Sequence, residues 1–234
     1  MNLWDTRLVH TEEGRAEVEE KKKIGHRETE EKTVVIRGRK FTLLTPKFIE
    51  AYIDPENPLH DFPLWAKAWE ASWVLADYLA GLPAEPGKRF IEIGCGLGLV
   101  GLTAASFGHR VIMTDHNPDA IEFARANAER NHCSDVEIID LDWSSPSLYG
   151  QFDTVLGSEV VYHEKDFEPL RNLFERLLKP QGEVILCEGI RRTSLEFFKR
   201  MQRHFDLKAQ QKSIRSPEIK VPVILCRMKR KTNA

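Results

Sequence analysis

No two of the four cysteines, Cys95, Cys133, Cys187 and Cys226, are spaced C-x-x-C. That excludes the common zinc and dithiol redox motifs, so no metal is expected. Three of the four lie in or beside apolar segments and read as small buried hydrophobes, a usage that fits a reducing compartment. No apolar run approaches the length of a membrane span, and the first residues lack the apolar h-region of a signal peptide. A soluble cytoplasmic protein without a membrane partner is therefore expected. An excess of charge of one sign is missing too. Lysine and arginine total 34 against 36 acidic residues. Bulk charge thus favours neither nucleic acid nor anionic lipid as a partner. The basic run R-M-K-R-K at residues 227–231 reads as a solvated terminus.

What is present suits a sizeable core, since 41% of the residues are hydrophobic. Residues 1–60 read as an N-terminal extension, a polar arm followed by a β-hairpin. Residues 11–23 are mostly charge and predict a solvated helix or a mobile arm. The β-prone runs 33–36 and 40–44 flank Arg37-Gly38-Arg39, a hairpin signal. Asp54-Pro55-Glu56-Asn57-Pro58 then interrupts regular structure. A second unit, residues 61–234, opens with a helix expected from Pro63 to Ala80. Trp65, Trp69 and Trp73 recur every four residues and would share one face of it. That face is a core stripe, or Trp65 and Trp69 wall a ligand pocket by stacking on adenine or a cation. Beyond the linker 81–87, strands are expected over 89–93, 110–114, 136–141, 152–157 and 183–187. Helices are expected over 99–107, 118–131, 167–178 and 194–204, and an antiparallel pair over 205–211 and 221–228. The alternation predicts an α/β fold, a doubly wound Rossmann-like and mostly parallel seven-stranded sheet with an antiparallel terminal strand.

The chemistry concentrates in F-I-E-I-G-C-G-L-G-L-V-G, residues 90–101. A strand that runs through Gly94, Gly96 and Gly98 into a helix makes a nucleotide-type site, with loop amides and a helix N-terminus facing the ligand. The sixth position counted from Gly94 is Leu99, so the dinucleotide fingerprint G-x-G-x-x-G fails. The form present is E-x-G-x-G-x-G from Glu92. The second strand ends at Asp115, in T-D-H-N, and the third at Asp142-Trp143. A carboxylate accepts from both hydroxyls of a ribose at once, which no neutral side chain does as well. On these residues the chain resembles the class I S-adenosylmethionine-dependent methyltransferases. The resemblance implies S-adenosylmethionine as cofactor, Glu92, Gly94, Gly96, Gly98 and Asp115 at its binding loop and ribose, and Asp142 with Trp143 near its adenine. His116, Asn117, Ser158, Trp65 and Trp69 complete the candidate cofactor site. A simple turn or a helix cap explains His116 and Asn117 equally well, and Asp-Trp-Ser-Ser also suits a turn.

The fourth strand leads into Gly157-Ser158-Glu159-Val160-Val161-Tyr162. With the Trp-containing segment before the glycine loop and the Asp-Trp pair after the third strand, this is similar to the family 16 protein lysine methyltransferases, which carry an acid-x-x-Tyr motif here. The Asn-Pro-Pro-Tyr motif used on nucleobases and glutamine is absent. The resemblance implies a protein substrate, with Glu159 attracting a lysine ammonium and Tyr162 stacking on the amine or hydrogen-bonding it as the catalytic pair. His163 and Glu164 follow, and either suits a base. Methylation of a small molecule or RNA is the alternative, with the hairpin as a cap over the substrate. A non-catalytic cofactor-binding interaction module is a third reading.

Overall fold

The computed structural model describes residues 23–24, 27–53, 55–56, 62–148, 150–215 and 220–231. The charged arm expected over residues 11–23 falls almost wholly outside them. Strands β1 (Lys23–Ile24), β2 (Arg27–Ile36) and β3 (Arg39–Pro46) form a small antiparallel sheet. Arg37 and Gly38, with φ of 47° and 82°, make the two-residue turn. Positive φ at both central residues matches the right-handed twist of the flanking strands. The strands extend well beyond the runs expected from β-propensity. Residues 29–32 are charged or polar, yet each pairs with β3 in register, from Thr29 opposite Pro46 to Lys32 opposite Leu43. Their polarity suits a face turned to solvent, where Glu28 pairs with Lys47 and Glu31 with Arg130.

The helix expected from Pro63 begins later. Residues Leu64–Ala66 form one 3-10 turn, Lys67 is extended at φ -132°, and α1 runs only over Glu70–Ala80. The Trp69 indole donates to the Leu64 carbonyl at 2.7 Å, a local bond that competes with helix continuation. Trp65 and Trp73 therefore sit on different elements and share no helix face.

The main sheet follows the expected alternation: β4 (Arg89–Ile93), α2 (Leu99–Ser106), β5 (Arg110–Asp115), α3 (Pro118–Arg130), β6 (Glu137–Asp140), β7 (Phe152–Ser158), α4 (Phe167–Leu177), β8 (Leu178–Gly189), α5 (Arg192–Met201), β9 (Phe205–Arg215) and β10 (Lys220–Arg230). Its strand order is β6-β5-β4-β7-β8-β10-β9, and β10 alone points against the other six strands. Successive residues face opposite layers. Phe90, Leu156, Ile185 and Leu225 pack with α1 and α2, while Ile91, Val155, Val184 and Leu186 pack with Phe167, Phe174 and Phe197 of α4 and α5. Strands buried on both faces read as continuous apolar runs, as these do. Lys179-Pro180-Gln181-Gly182, read as a helix stop, bulges out of β8, so that Phe152 opposes Leu178 and Thr154 opposes Glu183. The basic run at 227–231 is no free terminus. It closes β10, where Arg227 grips both oxygens of Glu183 at 2.8 and 2.9 Å and Arg230 donates to the Leu178 carbonyl at 2.9 Å.

The hairpin shares its core with the larger unit. Val34, Ile36, Phe41 and Leu43 pack in one cluster with Ala76, Leu99, Leu102, Met113 and Ile121. Asn127 of α3 and Asn131, which caps the end of that helix, finish the docking. Asn127 accepts from the Leu44 amide at 2.6 Å and donates to its carbonyl at 3.2 Å. Asn131 does the same to Thr42, at 2.8 Å in both directions. Four residues of helix rise about 6 Å and two residues of strand about 6.7 Å, so side-chain amides at i and i+4 meet strand residues at i and i+2.

After β4 the chain winds outward through β5 to β6, then crosses back to place β7 on the other side of β4. Ligands in open α/β sheets bind at the carboxyl ends of the strands at such a reversal.

Candidate active site

A cleft of about 940 Å³ opens at that reversal. The loop after β4 forms its floor. Gly94 and Gly96 both have positive φ, 61° and 51°. A Cβ on Gly96 would stand 3.1 Å from the Trp65 carbonyl oxygen, so the loop lies close against the 3-10 turn. Asp115, at the end of β5, is nearly buried and joins two loops. Its Oδ2 accepts from the Gly96 amide at 2.9 Å and its Oδ1 from the Asn117 amide at 3.0 Å. Each oxygen keeps a lone pair for a further donor. Asn117 caps α3, accepting from Asp119 and Ala120 at 2.9 and 3.1 Å, and also lines the cleft. His116 is 65% exposed, and its ring centre lies 6.2 Å from that of Trp143. Trp65, Trp69 and Ser158 line the opposite wall. Trp65 packs edge-on against Tyr52 at 5.0 Å, and Ser158 shares a 2.9 Å hydrogen bond with Ser72 of α1.

Three residues expected around the cofactor do not line the cleft. Glu92 is buried beneath the loop, where burial pushes its carboxyl up to about 8 against the Gly101 amide that donates to it. Gly98 starts α2 and makes room for Met113, whose Cε would lie 2.9 Å from a Cβ there. Asp142 is exposed in a turn. Its Oδ1 accepts from the Ser144 hydroxyl and amide at 2.6 and 2.8 Å, bonds that hold its carboxyl below the ordinary range. The turn accounts for Asp142, and of the Asp-Trp pair Trp143 alone reaches the cleft.

At the other end β7 stops at Ser158, and Glu159 turns the chain with φ 51°. Left-handed φ is uncommon outside glycine and costs about 1–2 kcal/mol, a strain that collects at functional sites. The Glu159 Oε1 accepts from the Gly189 amide at 2.8 Å. Its Oε2 lies against the Arg191 guanidinium as an ion pair. Glu188, fully buried at the end of β8, accepts from the Val160 and Val161 amides at 2.9 and 3.4 Å and from Arg191 at 3.2 Å. Arg191 also sits over the Tyr162 ring, 5.3 Å from its centre. Burial first, then the neighbouring Glu159, pushes the Glu188 carboxyl up to about 8. Burial and the same two carboxylates raise the Tyr162 hydroxyl above its ordinary range. His163 lines the cleft, whereas Glu164 points away to Arg200 at 3.2 Å.

No motif in the sequence marks Glu188 or Arg191. The available signal was an acid closing an otherwise apolar strand, E-V-I-L-C-E-G, next to the strand that carries Glu159.

The cleft thus joins a glycine loop and a strand-end acid to a carboxylate–aromatic pair. A family model for lysine methyltransferases matches residues 64–204, more than half of the chain. The chain belongs to the lysine methyltransferase family. The match takes in the glycine loop, Asp115 and the Glu159–Tyr162 pair. A protein N-lysine methyltransferase METTL21A from Xenopus tropicalis is 31% identical over 69% of this chain and 78% of its own length. The METTL21A of Danio rerio is 38% identical over 54% of this chain, and the match spans 61% of the zebrafish protein. In fold, a TehB-like S-adenosylmethionine-dependent methyltransferase from Corynebacterium glutamicum superposes with a TM-score of 0.52 and 20% identity, covering 70% of this chain and 90% of that one. This lysine methyltransferase family member is an enzyme whose cofactor is S-adenosylmethionine. Among the described residues no helix is long and apolar enough to cross a membrane.

Proposed function

We propose that this chain transfers the methyl group of S-adenosylmethionine to lysine side chains of a protein. The carrying observation is the placement of Glu159 and Tyr162 at the end of β7, in the same cleft as Gly94, Gly96 and Asp115. The residues fit the cofactor. Asp115 has lone pairs left for two ribose hydroxyls, the Gly96 backbone is open to close approach, and Trp143 and His116 offer faces to adenine. Trp65, Trp69, Asn117 and Ser158 wall the same volume, and Glu92 and Gly98 shape the loop from beneath. Asp142 acts through the turn that presents Trp143. Bound there, S-adenosylmethionine supplies a methyl on a sulfonium, which the nitrogen lone pair of the acceptor takes in line while the C–S electrons stay on sulfur. Glu159 and Tyr162 orient that nitrogen. Positioning contributes most of the rate, and exclusion of water a smaller share. A reducing, cytoplasmic setting suits the four free cysteines.

Labelled cofactor incubated with the enzyme and cell extract tests the reading. Label should appear in protein and, after acid hydrolysis, as methyl-lysine. Label confined to RNA or small molecules would overturn it. In the same assay Glu159→Gln should abolish methylation while cofactor affinity stays within about twofold, since Glu159 is placed at the acceptor end.

A further inference from the structure

The two residues at the acceptor end of the cleft already share a cation of this chain, which stands behind the lining. Arg191 touches both residues assigned to the incoming lysine: its Nη2 pairs with the Glu159 Oε2, and its Cζ lies 5.3 Å from the Tyr162 ring centre. We propose that Arg191 is a resident counter-ion of the acceptor site, neutralising Glu159 so that the site takes its lysine as the free amine. The inference rests on the protein-lysine reading and deepens it.

The chemistry poses a conflict that Arg191 resolves. A carboxylate is needed to orient the acceptor nitrogen. A lone, nearly buried carboxylate would also hold that nitrogen as an ammonium, because an opposite charge within about 4–6 Å stabilises the charged form by one to three pH units. An ammonium has no lone pair and cannot attack. Compensated by a fixed guanidinium, Glu159 keeps its hydrogen-bonding geometry and loses its grip on the proton. The lysine sheds its proton to water on entry, its lone pair then forms the N–C bond, and the product leaves as a methylammonium. No base is required in the transfer step.

Arginine suits the task and lysine less so. A planar guanidinium stays charged at every working pH and can reach two carboxylates while stacking on an aromatic ring. Here it does all three, with Glu188 as the second carboxylate at 3.2 Å. Glu188 fixes the arrangement from the neighbouring strand, since its oxygens also receive the Val160 and Val161 amides inside the Glu159–Tyr162 segment. Burial keeps its carboxyl up to about 8, so it adds little negative charge at neutral pH. The Arg191 backbone is fixed as well, donating to the Ser194 Oγ at 3.1 Å where α5 begins. The charged and titratable groups facing Arg191 are Glu159 and Tyr162 from the end of β7 and Glu188 from β8, and His163, Lys165 and Asp166 line the same cleft. Arg191 acts through Glu159 and is a positioning residue.

The test is the pH dependence of methyl-lysine formation from about pH 6 to about pH 10, with labelled cofactor and extract protein as the probe, for the full chain and its Arg191→Lys, Arg191→Gln and Arg191→Met forms. Calorimetry with S-adenosylhomocysteine shows that each form retains its fold and cofactor site. Arg191→Met and Arg191→Gln should move the acid limb of the rate upward by about one pH unit or more, and Arg191→Lys should return most of that shift. A lower rate at every pH with an unmoved limb would make Arg191 a purely structural contact and overturn the proposal. A higher rate at every pH in Arg191→Met would overturn it in favour of a gate that occupies the acceptor position. Absence of methyl-lysine with the unaltered chain would overturn the protein-lysine reading itself, and with it the proposal.

Discussion

At the residue scale the same substitution separates strain from function. Gly38 and Gly96 both hold positive φ, 82° and 51°. Nothing lies within 4 Å of a Cβ on Gly38, whereas a Cβ on Gly96 would press on the Trp65 carbonyl at 3.1 Å. Gly38→Ala should therefore cost only the left-handed strain, about 1 kcal/mol, and leave cofactor affinity unchanged. Gly96→Ala adds displacement of the 3-10 turn, which lines the cleft, and should weaken S-adenosylhomocysteine binding at least about tenfold, or about 1.4 kcal/mol. Urea melts and calorimetry on both proteins check the pair. An affinity as unchanged in Gly96→Ala as in Gly38→Ala would mean that the loop tolerates a side chain at Gly96. The glycine spacing and Asp115 were legible because each meets a local backbone requirement, positive φ in the loop and a strand-end carboxylate that accepts from the Gly96 and Asn117 amides. Glu92, Gly98 and Asp142 carry the same motif pattern but serve the loop, the helix packing and a turn. Whether an acid faces a cleft or lies beneath it depends on a neighbouring helix, here α2 over Glu92, that no local pattern reports.

At the element scale, the strands and most helices of the main sheet follow from hydrophobic period and from Gly and Pro breaks. The N-terminal hairpin was half legible. Its apolar end was readable from 33 to 44, and its charged end was hidden because those side chains face solvent or ion partners on α3. Its seat on α3 was hidden for another reason: the partner of the Leu44 backbone is a side chain 83 residues away. That seat gives a graded expectation. Asn127 is fully buried and also donates to the Leu97 carbonyl in the glycine loop at 3.0 Å. Asn127→Ala strands the amide and carbonyl of Leu44 and the carbonyl of Leu97, at about 1–3 kcal/mol for each buried group left unpaired. Asn131→Ala leaves a partly buried pair at Thr42 that water can reach, and should cost about 1 kcal/mol. Only Asn127→Ala should also loosen cofactor binding, because only Asn127 ties the hairpin to the loop. An equal effect of both on affinity would remove that link.

For the whole molecule, the cleft rests on two buried acids. Glu92 and Glu188 close the ends of β4 and β8 on either side of β7, one beneath the cofactor loop and one beneath the acceptor segment. Burial lifts both from 4.5 to about 8. The folded chain thus keeps two protons through a range in which the unfolded chain has lost them. Where the unfolded state binds fewer protons, stability falls as pH rises, so this contribution is complete below about pH 4.5 and is lost through about pH 8. Asp142 and Asp153 act oppositely, because hydrogen bonds and, for Asp153, the Lys179 ammonium lower them from 3.8. Their contribution is present above about pH 4 and disappears only in stronger acid, outside the window of the two glutamates. The cofactor-free protein should accordingly melt highest near about pH 5 and several degrees lower by about pH 8. Glu92→Gln and Glu188→Gln should each flatten part of that slope. A melting temperature that is level or rises across the same range in the unaltered chain would mean that both carboxylates are ionised in the fold. Acids held neutral in this way make the site least stable toward alkaline pH, where a lysine acceptor is most readily a free amine. Cofactor binding opposes that loss by mass action, worth about 2.7 kcal/mol at a hundredfold excess over Kd.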